Sequence, residues 1–123
     1  MNIPKVKFTN ISLTKEINWM YGFLFQDKWG WGKYIIKKHP KIKKVFSLKT
    51  EAEQLKFLRN YIIRYKKNNQ KLIEKNKTKY QKEWHKVEKD FFIILSEIIQ
   101  INWPKNRKII KAMISINPIC PRF

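Results

Sequence analysis

Residues 48–101 contain neither glycine nor proline, and this uninterrupted stretch limits the fold more than any other feature of the chain. Its apolar residues recur at spacings of three, four or seven, which places them along one face of an α-helix and does not fit a strand. Thr50 and Glu53 match a capping box at the start, in which the two side chains satisfy unpaired backbone amides. The stretch is therefore predicted to be helical. The recurring residues are Leu55, Leu58, Ile62, Tyr65 and Leu72, and the spacing resumes at Tyr80 with Trp84, Val87, Phe91, Ile94 or Leu95, and Ile98.

The centre of this stretch, residues 66–79, is strongly polar and keeps only two apolar side chains. One helix of about 50 residues would be about 75 Å long at a rise of 1.5 Å per residue, and a chain of this size could not cover its apolar face. We therefore predict two helices, at about 51–67 and 79–101, that form a long antiparallel pair. The break falls between residues 68 and 78 in this prediction, and a single continuous helix is the alternative.

The remaining elements are shorter. Residues 12–25 carry a wide apolar stripe and predict a helix that packs on the long pair, with further short helical segments after it. Residues 5–11 alternate apolar and polar side chains like a strand, and 108–116 fit either a strand or a helix. Residues 91–101 are apolar on nearly every side of a helix and are expected to lie in a core. The predicted fold is mainly α with a minor β contribution, in a single small domain that spans residues 1–123.

The net charge of +19, from 28 basic and 9 acidic residues, predicts attraction to a polyanion. Nucleic acid, an anionic membrane surface and an acidic protein all fit such a field. A/T-rich coding is an equal explanation, because lysine, isoleucine and asparagine are abundant and lysine outnumbers arginine 24 to 4. Dedicated sequence readers favour arginine, whose planar fork matches phosphate and guanine. The composition therefore favours contact that is independent of nucleotide sequence.

The candidate phosphate-binding residues are lysines in two places. The densest basic cluster lies in residues 37–44, and two further lysines lie at the tip of the predicted helical pair. Either set also fits an ordinary solvated face. The candidates are Lys37, Lys38, Lys41, Lys43, Lys44, Lys66 and Lys67.

Trp29 and Trp31 are separated by glycine in a tight, aromatic-rich turn. One interpretation is a stacking surface for bases or sugars. The interpretation that we favour from the sequence is structural, in which both rings close one end of the core and the glycines permit the bend.

The sequence predicts no catalytic site, no cofactor and no metal site. His39 and His85 are the two histidines, and Lys89 stands where the segment after His85 would need a second ligand to match an inverted zincin motif. Cys120 is the single cysteine, which excludes an internal disulfide framework and a zinc site built from several cysteines. Apolar runs fall short of the roughly 18 residues that cross a bilayer. We expect no transmembrane segment and a cytoplasmic location.

The segment 103–123, WPKNRKIIKAMISINPICPRF, resembles the part that precedes the catalytic helix in small bacterial zincin-like proteins. The resemblance implies a helical N-terminal half followed by a sheet and an H-E-x-x-H helix. That motif is absent from this sequence, so no functional residue carries over. The resemblance and the apolar end of the chain, through Phe123, together raise the expectation that the chain is a fragment of a longer protein.

Three functions follow as hypotheses. The first is a basic helical module without a catalytic site, which binds nucleic acid or another polyanion without regard to sequence. The second is the non-catalytic N-terminal part of a zincin-like metallopeptidase. The third is a protein-interaction module in which an exposed stripe near Leu72, Ile73 and Tyr80 pairs with another helix.

Overall fold

The computed structural model describes residues 3–118, and these are mainly helical with a small two-stranded sheet. This confirms the predicted fold class, including the minor β contribution from both ends of the chain. The elements in order are strand β1 (Lys5–Asn10), helix α1 (Leu13–Tyr21), a π-helical turn (Gly22–Gln26), helix α2 (Gly32–Lys38), a 3-10 segment (Pro40–Ser47), helix α3 (Glu51–Asn68), helix α4 (Gln70–Ile99) and strand β2 (Ile109–Ile114).

The long helical stretch begins and breaks within the predicted limits. The Thr50 hydroxyl accepts a hydrogen bond from the Glu53 backbone amide at 3.2 Å, as the capping box requires. The break is at Asn69, whose side-chain amide donates to the Tyr65 carbonyl at 2.8 Å and so caps the end of α3.

Helix α4 begins at Gln70 and not near residue 79, so the predicted start of the second helix is too late. The polar segment stays helical because it provides its own local support, including an ion pair of 2.9 Å between Lys77 and Glu74 one turn apart. The antiparallel arrangement of α3 and α4 stays a prediction.

The chain divides into two compact units. The strand unit comprises Met1–Asn10 and Lys71–Ile114, and the helical unit comprises Ile11–Gln70 and Ser115–Phe123. Within residues 3–118, none of the helices combines the length and the apolar character that a membrane crossing requires.

The core of the helical unit lies between α1, α2, the 3-10 segment and α3. Each element contributes a short apolar stripe at its own period. A buried side chain of this size stabilises a fold by about 1.5–3 kcal/mol, so the core as a whole outweighs any single polar contact in the unit. The buried residues are Ile17, Met20, Ile35, Ile42, Val45, Leu58 and Ile62.

A buried carboxylate joins α1 to the segment that follows β2. Glu16 is fully buried, and its two oxygens accept hydrogen bonds from the Ser115 hydroxyl at 2.6 Å and from the Ile116 backbone amide at 2.7 Å. Because a buried carboxylate without partners is costly, these two donors are needed to keep Glu16 inside.

The strand unit contains a parallel pair of strands. β1 and β2 align from Lys5 opposite Ile109 to Asn10 opposite Ile114. Parallel pairing leaves the backbone groups of alternate residues on the outer edge of β1, and these require other partners.

Helix α4 supplies those partners from its side chains. The Gln81 amide accepts from the Phe8 backbone N–H and donates to the Val6 carbonyl, both at 2.9 Å. The Glu88 carboxylate accepts from the Val6 N–H at 2.9 Å, and the Asn10 side chain donates to Glu74 at 3.2 Å. The three helix residues lie seven apart, two turns of helix each, so they form one polar row along β1.

The expectation that residues 91–101 lie in a core is wrong for most of their side chains. Phe92 is buried, with its ring 5.4 Å from that of Trp103, whereas Phe91, Ile94 and Ile98 are exposed. The face that α4 buries is set by its polar row, and only Phe92 of these four lies on that side.

We predict that Gln81→Ala lowers the free energy of unfolding by about 1–3 kcal/mol, since it leaves two backbone groups of β1 without partners. Lys82→Ala, an exposed neighbour, is the matched control and should change stability by less than about 0.5 kcal/mol. Urea denaturation measures both. Amide exchange adds a local readout: the Phe8 N–H should exchange faster in Gln81→Ala, and unchanged protection there would contradict the assigned role of Gln81.

Candidate polyanion-binding surface

The 3-10 segment places its lysines, which belong to the predicted cluster, on different faces. Side chains three apart eclipse one another in such a helix, so its residues fall into three rows. Ile42 and Val45 form the row that enters the core. Lys41 and Lys44 therefore share a second, exposed row, and Lys43 lies in the third.

Lys41 and Lys44 face a groove of about 790 Å³ in the helical unit, which we call the tyrosine groove. Its other wall is α3, where lining residues recur at spacings of three and four and so share one face. Arg64 on that wall adds a third cation, which is not among the candidates predicted from the sequence. The lining residues are Pro40, Lys41, Lys44, Phe57, Asn60, Tyr61, Arg64, Tyr65, Asn68 and Asn69.

His39 contacts two of the tyrosines that line this groove. It is buried, and its ring packs edge-on against those of Tyr61 and Tyr65, at centroid distances of 5.6 and 4.8 Å. Its Nε2 lies 2.9 Å from the Ile116 carbonyl, which only accepts, so Nε2 carries the proton. In the neutral ring Nδ1 then accepts from the Tyr61 hydroxyl at 2.8 Å. This arrangement fixes one tautomer and uses both nitrogens.

The environment favours the neutral form of His39. Burial lowers its pKa below the ordinary value of 6.5, and the charge of Lys38 acts in the same direction. The hydrogen bond to Ile116 and the charge of Glu16 oppose this shift but do not reverse it. Burial also raises the pKa of Tyr61, with Tyr65 adding to the effect, so the Tyr61 hydroxyl stays protonated and continues to donate.

The tryptophan turn is held by a carboxylate and two glycines. Asp27 accepts hydrogen bonds from the backbone amides of Trp29 at 3.2 Å and Trp31 at 2.6 Å. Gly30 has a φ of +72°, a conformation that other residues rarely adopt. A Cβ at Gly32 would lie 2.6 Å from the Phe23 carbonyl oxygen, so the backbone approaches too closely there for any side chain.

This turn presents its tryptophans to solvent. Trp29 is 84% exposed and Trp31 46% exposed, so the favoured expectation that they close the core is wrong. Helix α2, which follows the turn, directs Ile35 inward and its lysines outward.

Trp29 and Trp31 border a second groove of about 720 Å³, which we call the tryptophan groove. Helix α2 supplies most of the rest, through pairs of residues four apart that lie on the same side. Two of the predicted lysines, Lys37 and Lys38, are among them, and two lining residues of α2 were missed. The lining residues are Trp29, Trp31, Lys33, Tyr34, Lys37, Lys38 and Pro118.

The structure thus brings six of the nine predicted site residues into two grooves of one unit. Lys43, Lys66 and Lys67 lie outside both. Lys66 and Lys67 occupy the last turn of α3, where positive charge stabilises the helix through its dipole. The missed residue Arg64 was detectable in principle, since it lies three and seven residues after Tyr61 and Phe57 on one helical face.

The strand unit has a basic groove of its own, of about 710 Å³. It combines four lysines with Phe8 and the exposed His85. Its lining includes no tryptophan or tyrosine. The lining residues are Lys7, Phe8, Lys77, Thr78, Gln81, Lys82, His85 and Lys86.

Comparison of the chain with models of known protein families, with curated proteins and with solved structures found no match. The resemblance to the N-terminal part of zincin-like proteins therefore stays a prediction. Residues 119–123 of that segment, including Cys120 and Phe123, lie outside the described residues. Within residues 3–118 there is no cluster of three or more histidine, cysteine, aspartate or glutamate side chains that could hold a metal ion.

We predict that the helical unit loses stability as the pH falls below about 6.5, the pKa of an unfolded histidine. The pKa of His39 is lowered in the fold, so between the two values the unfolded state binds the extra proton and is favoured. His39→Gln keeps a donor for Ile116 and an acceptor for Tyr61 but cannot titrate. Denaturant unfolding between pH 5 and 7.5 should show a pH slope in the native chain that is smaller in His39→Gln; equal slopes would contradict the assignment.

We also predict that Gly32→Ala lowers the free energy of unfolding by about 1–3 kcal/mol, because its Cβ would overlap the Phe23 carbonyl. Gly22→Ala is the matched control: its Cβ meets no atom closer than 3.9 Å, and its helical backbone suits alanine. That variant should be neutral or more stable. Thermal unfolding of both variants measures the difference, and similar effects would show that the close approach at Gly32 is unimportant.

Proposed function

We propose that this chain binds nucleic acid without regard to sequence, through the tryptophan and tyrosine grooves of its helical unit. The single observation that carries the proposal is that Trp29 and Trp31 line one groove with Lys37 and Lys38. Exposed rings and cations in one groove are the two components of a site for a nucleic acid strand.

The cations supply affinity in this proposal. Residues 28–50 contain eight lysines and no acidic residue. This most basic part of the helical unit supplies nearly all of the tryptophan groove and one wall of the tyrosine groove. Lysines and Arg64 neutralise phosphates and release counterions, which makes binding strong at low salt and weak at high salt.

The aromatic side chains favour single strands over duplex. An unpaired base can stack on an exposed ring, worth about 1–3 kcal/mol per base, whereas a base inside a duplex cannot. Arginine forks that read base edges are scarce, with Arg64 the one arginine in either groove. Binding is therefore set by charge and stacking. The cytoplasmic location expected from the sequence belongs to this proposal.

The test is the salt dependence of binding to a labelled single strand of about 20 thymidines. Replacing Lys41, Lys44 and Arg64 by glutamine should reduce the slope of log K against log salt by about 2, at about 0.7 per phosphate. The matched control removes the same charge from outside the grooves, by Lys49→Gln, Lys56→Gln and Arg59→Gln. It should leave the slope nearly unchanged. Fluorescence anisotropy at several salt concentrations gives both slopes.

A second variant separates stacking from charge. Trp29→Ala should lower the affinity for the single strand about tenfold, and Trp29→Phe should restore part of it, since a ring can still stack. Equal loss of slope in the groove and control triples would show that only the overall charge acts. Heparin that competes as well as the single strand, with no effect of Trp29→Ala, would identify a general polyanion binder.

A further inference from the structure

Helix α4 carries an exposed apolar stripe that nothing in the proposed function uses. Val87, Phe91, Ile94 and Ile98 follow one another at spacings of four, three and four, and Ile101 continues the series just after the helix. Val87 is 51% exposed, Ile94 53% and Ile98 73%. The spacing is that of a seam along which one helix packs against another.

The stripe lies beside the face of α4 that packs against β1. Gln81 and Glu88 point toward β1, and Glu88 follows the stripe residue Val87 by one position, so the stripe is rotated away from the strand. The exposure of the stripe is therefore a consequence of the hydrogen bonds between α4 and β1.

An acidic row borders the outer side of the stripe. Glu83, Asp90 and Glu97 lie seven apart and all three are exposed, and the Glu83 carboxylate pairs with Lys86 at 3.1 Å. Asp90 and Glu97 precede the stripe residues Phe91 and Ile98 by one position, the place from which charged side chains in paired helices reach the partner. Glu83 continues the same row. Residues 83–99 hold four acidic and two basic residues in a chain whose net charge is +19. This is the acidic region of a basic protein.

The charges identify the kind of partner. Antiparallel pairing of two copies would place the acidic row against itself, and parallel pairing would place it against Gln81, Glu88 and Leu95, none of which is basic. An anionic membrane would repel the row as well. We propose that the stripe of α4 is the docking surface for an amphipathic helix of another protein, whose own apolar stripe is flanked by lysine or arginine.

This inference is independent of nucleic-acid binding. It requires a positively charged partner, whereas nucleic acid is negatively charged. The overall field of the chain attracts acidic molecules, but at physiological salt the field of a surface charge falls off over about 8 Å. A helix seated on the stripe therefore responds first to Glu83, Asp90 and Glu97. Failure of either proposal leaves the other standing, since the grooves and the stripe lie on different units.

The experiment uses two synthetic helical peptides of about three heptads that are identical along the apolar stripe. One carries lysine at the flanking positions and the other glutamate, and each is titrated with the intact chain at physiological salt by fluorescence anisotropy. The lysine peptide should bind at least about tenfold more tightly, since three attractive pairs replace three repulsive ones.

Variants locate the site. Ile94→Ser with Ile98→Ser should abolish binding of the lysine peptide, and both positions are exposed, so the fold should be unaffected by circular dichroism. Ile63→Ser, an exposed isoleucine on α3, is the control and should bind normally. Asp90→Lys with Glu97→Lys should reverse the preference between the two peptides.

Four results would overturn the proposal. They are tighter binding of the glutamate peptide to the native chain, binding that Ile94→Ser with Ile98→Ser leaves unchanged, self-association in sedimentation that these substitutions remove, and stripe-dependent binding to vesicles of phosphatidylglycerol. The third result would assign the stripe to a second copy of the chain, and the fourth to a membrane surface.

Discussion

The outer edge of β1 needs hydrogen-bond partners, and α4 meets that need with side chains in place of a third strand. Gln81 and Glu88 bond the β1 backbone, and Glu74, which accepts from the Asn10 side chain, continues their row. The spacing of this row fixes which face of the helix lies against the sheet. A helix that buries a polar row turns its apolar seam outward. The exposed apolar stripe of the strand unit therefore follows from the hydrogen bonds that the β1 backbone requires.

In the helical unit, helix type decides which lysines act together. The lysines of residues 37–44 look like one cluster in the sequence, but α2 and the 3-10 segment have different periods and divide them. Lys37 and Lys38 join the exposed tryptophans, Lys41 and Lys44 join the tyrosines of α3, and Lys43 joins neither group. The buried His39 separates the two sets and ties this bend to Ile116.

Local signals in the sequence were enough to predict the fold class, the cap at Thr50 and the strand in β1. They failed where the environment of a residue depends on a contact with a segment that is distant in the sequence. The sequence places the start of α4 too late because a polar segment resembles a break, although local ion pairs such as Lys77–Glu74 help to keep it helical. Residues 91–101 are expected in a core because their composition is apolar. Composition alone does not show that the polar row of α4 occupies its buried face. Arg64 was missed because it joins Lys41 and Lys44 only once the fold brings α3 beside the 3-10 segment.

The hydrogen bond between Glu16 and the Ile116 amide spans 100 residues of the chain. The carboxylate of Glu16 finds its donors only when residues 115 and 116 have been brought back to α1 across the intervening chain. Until then α1 must hold a charged group that its own core cannot satisfy, and closing so long a loop carries a high entropic cost. Folding of the helical unit is therefore expected to be slow for a protein so rich in helix.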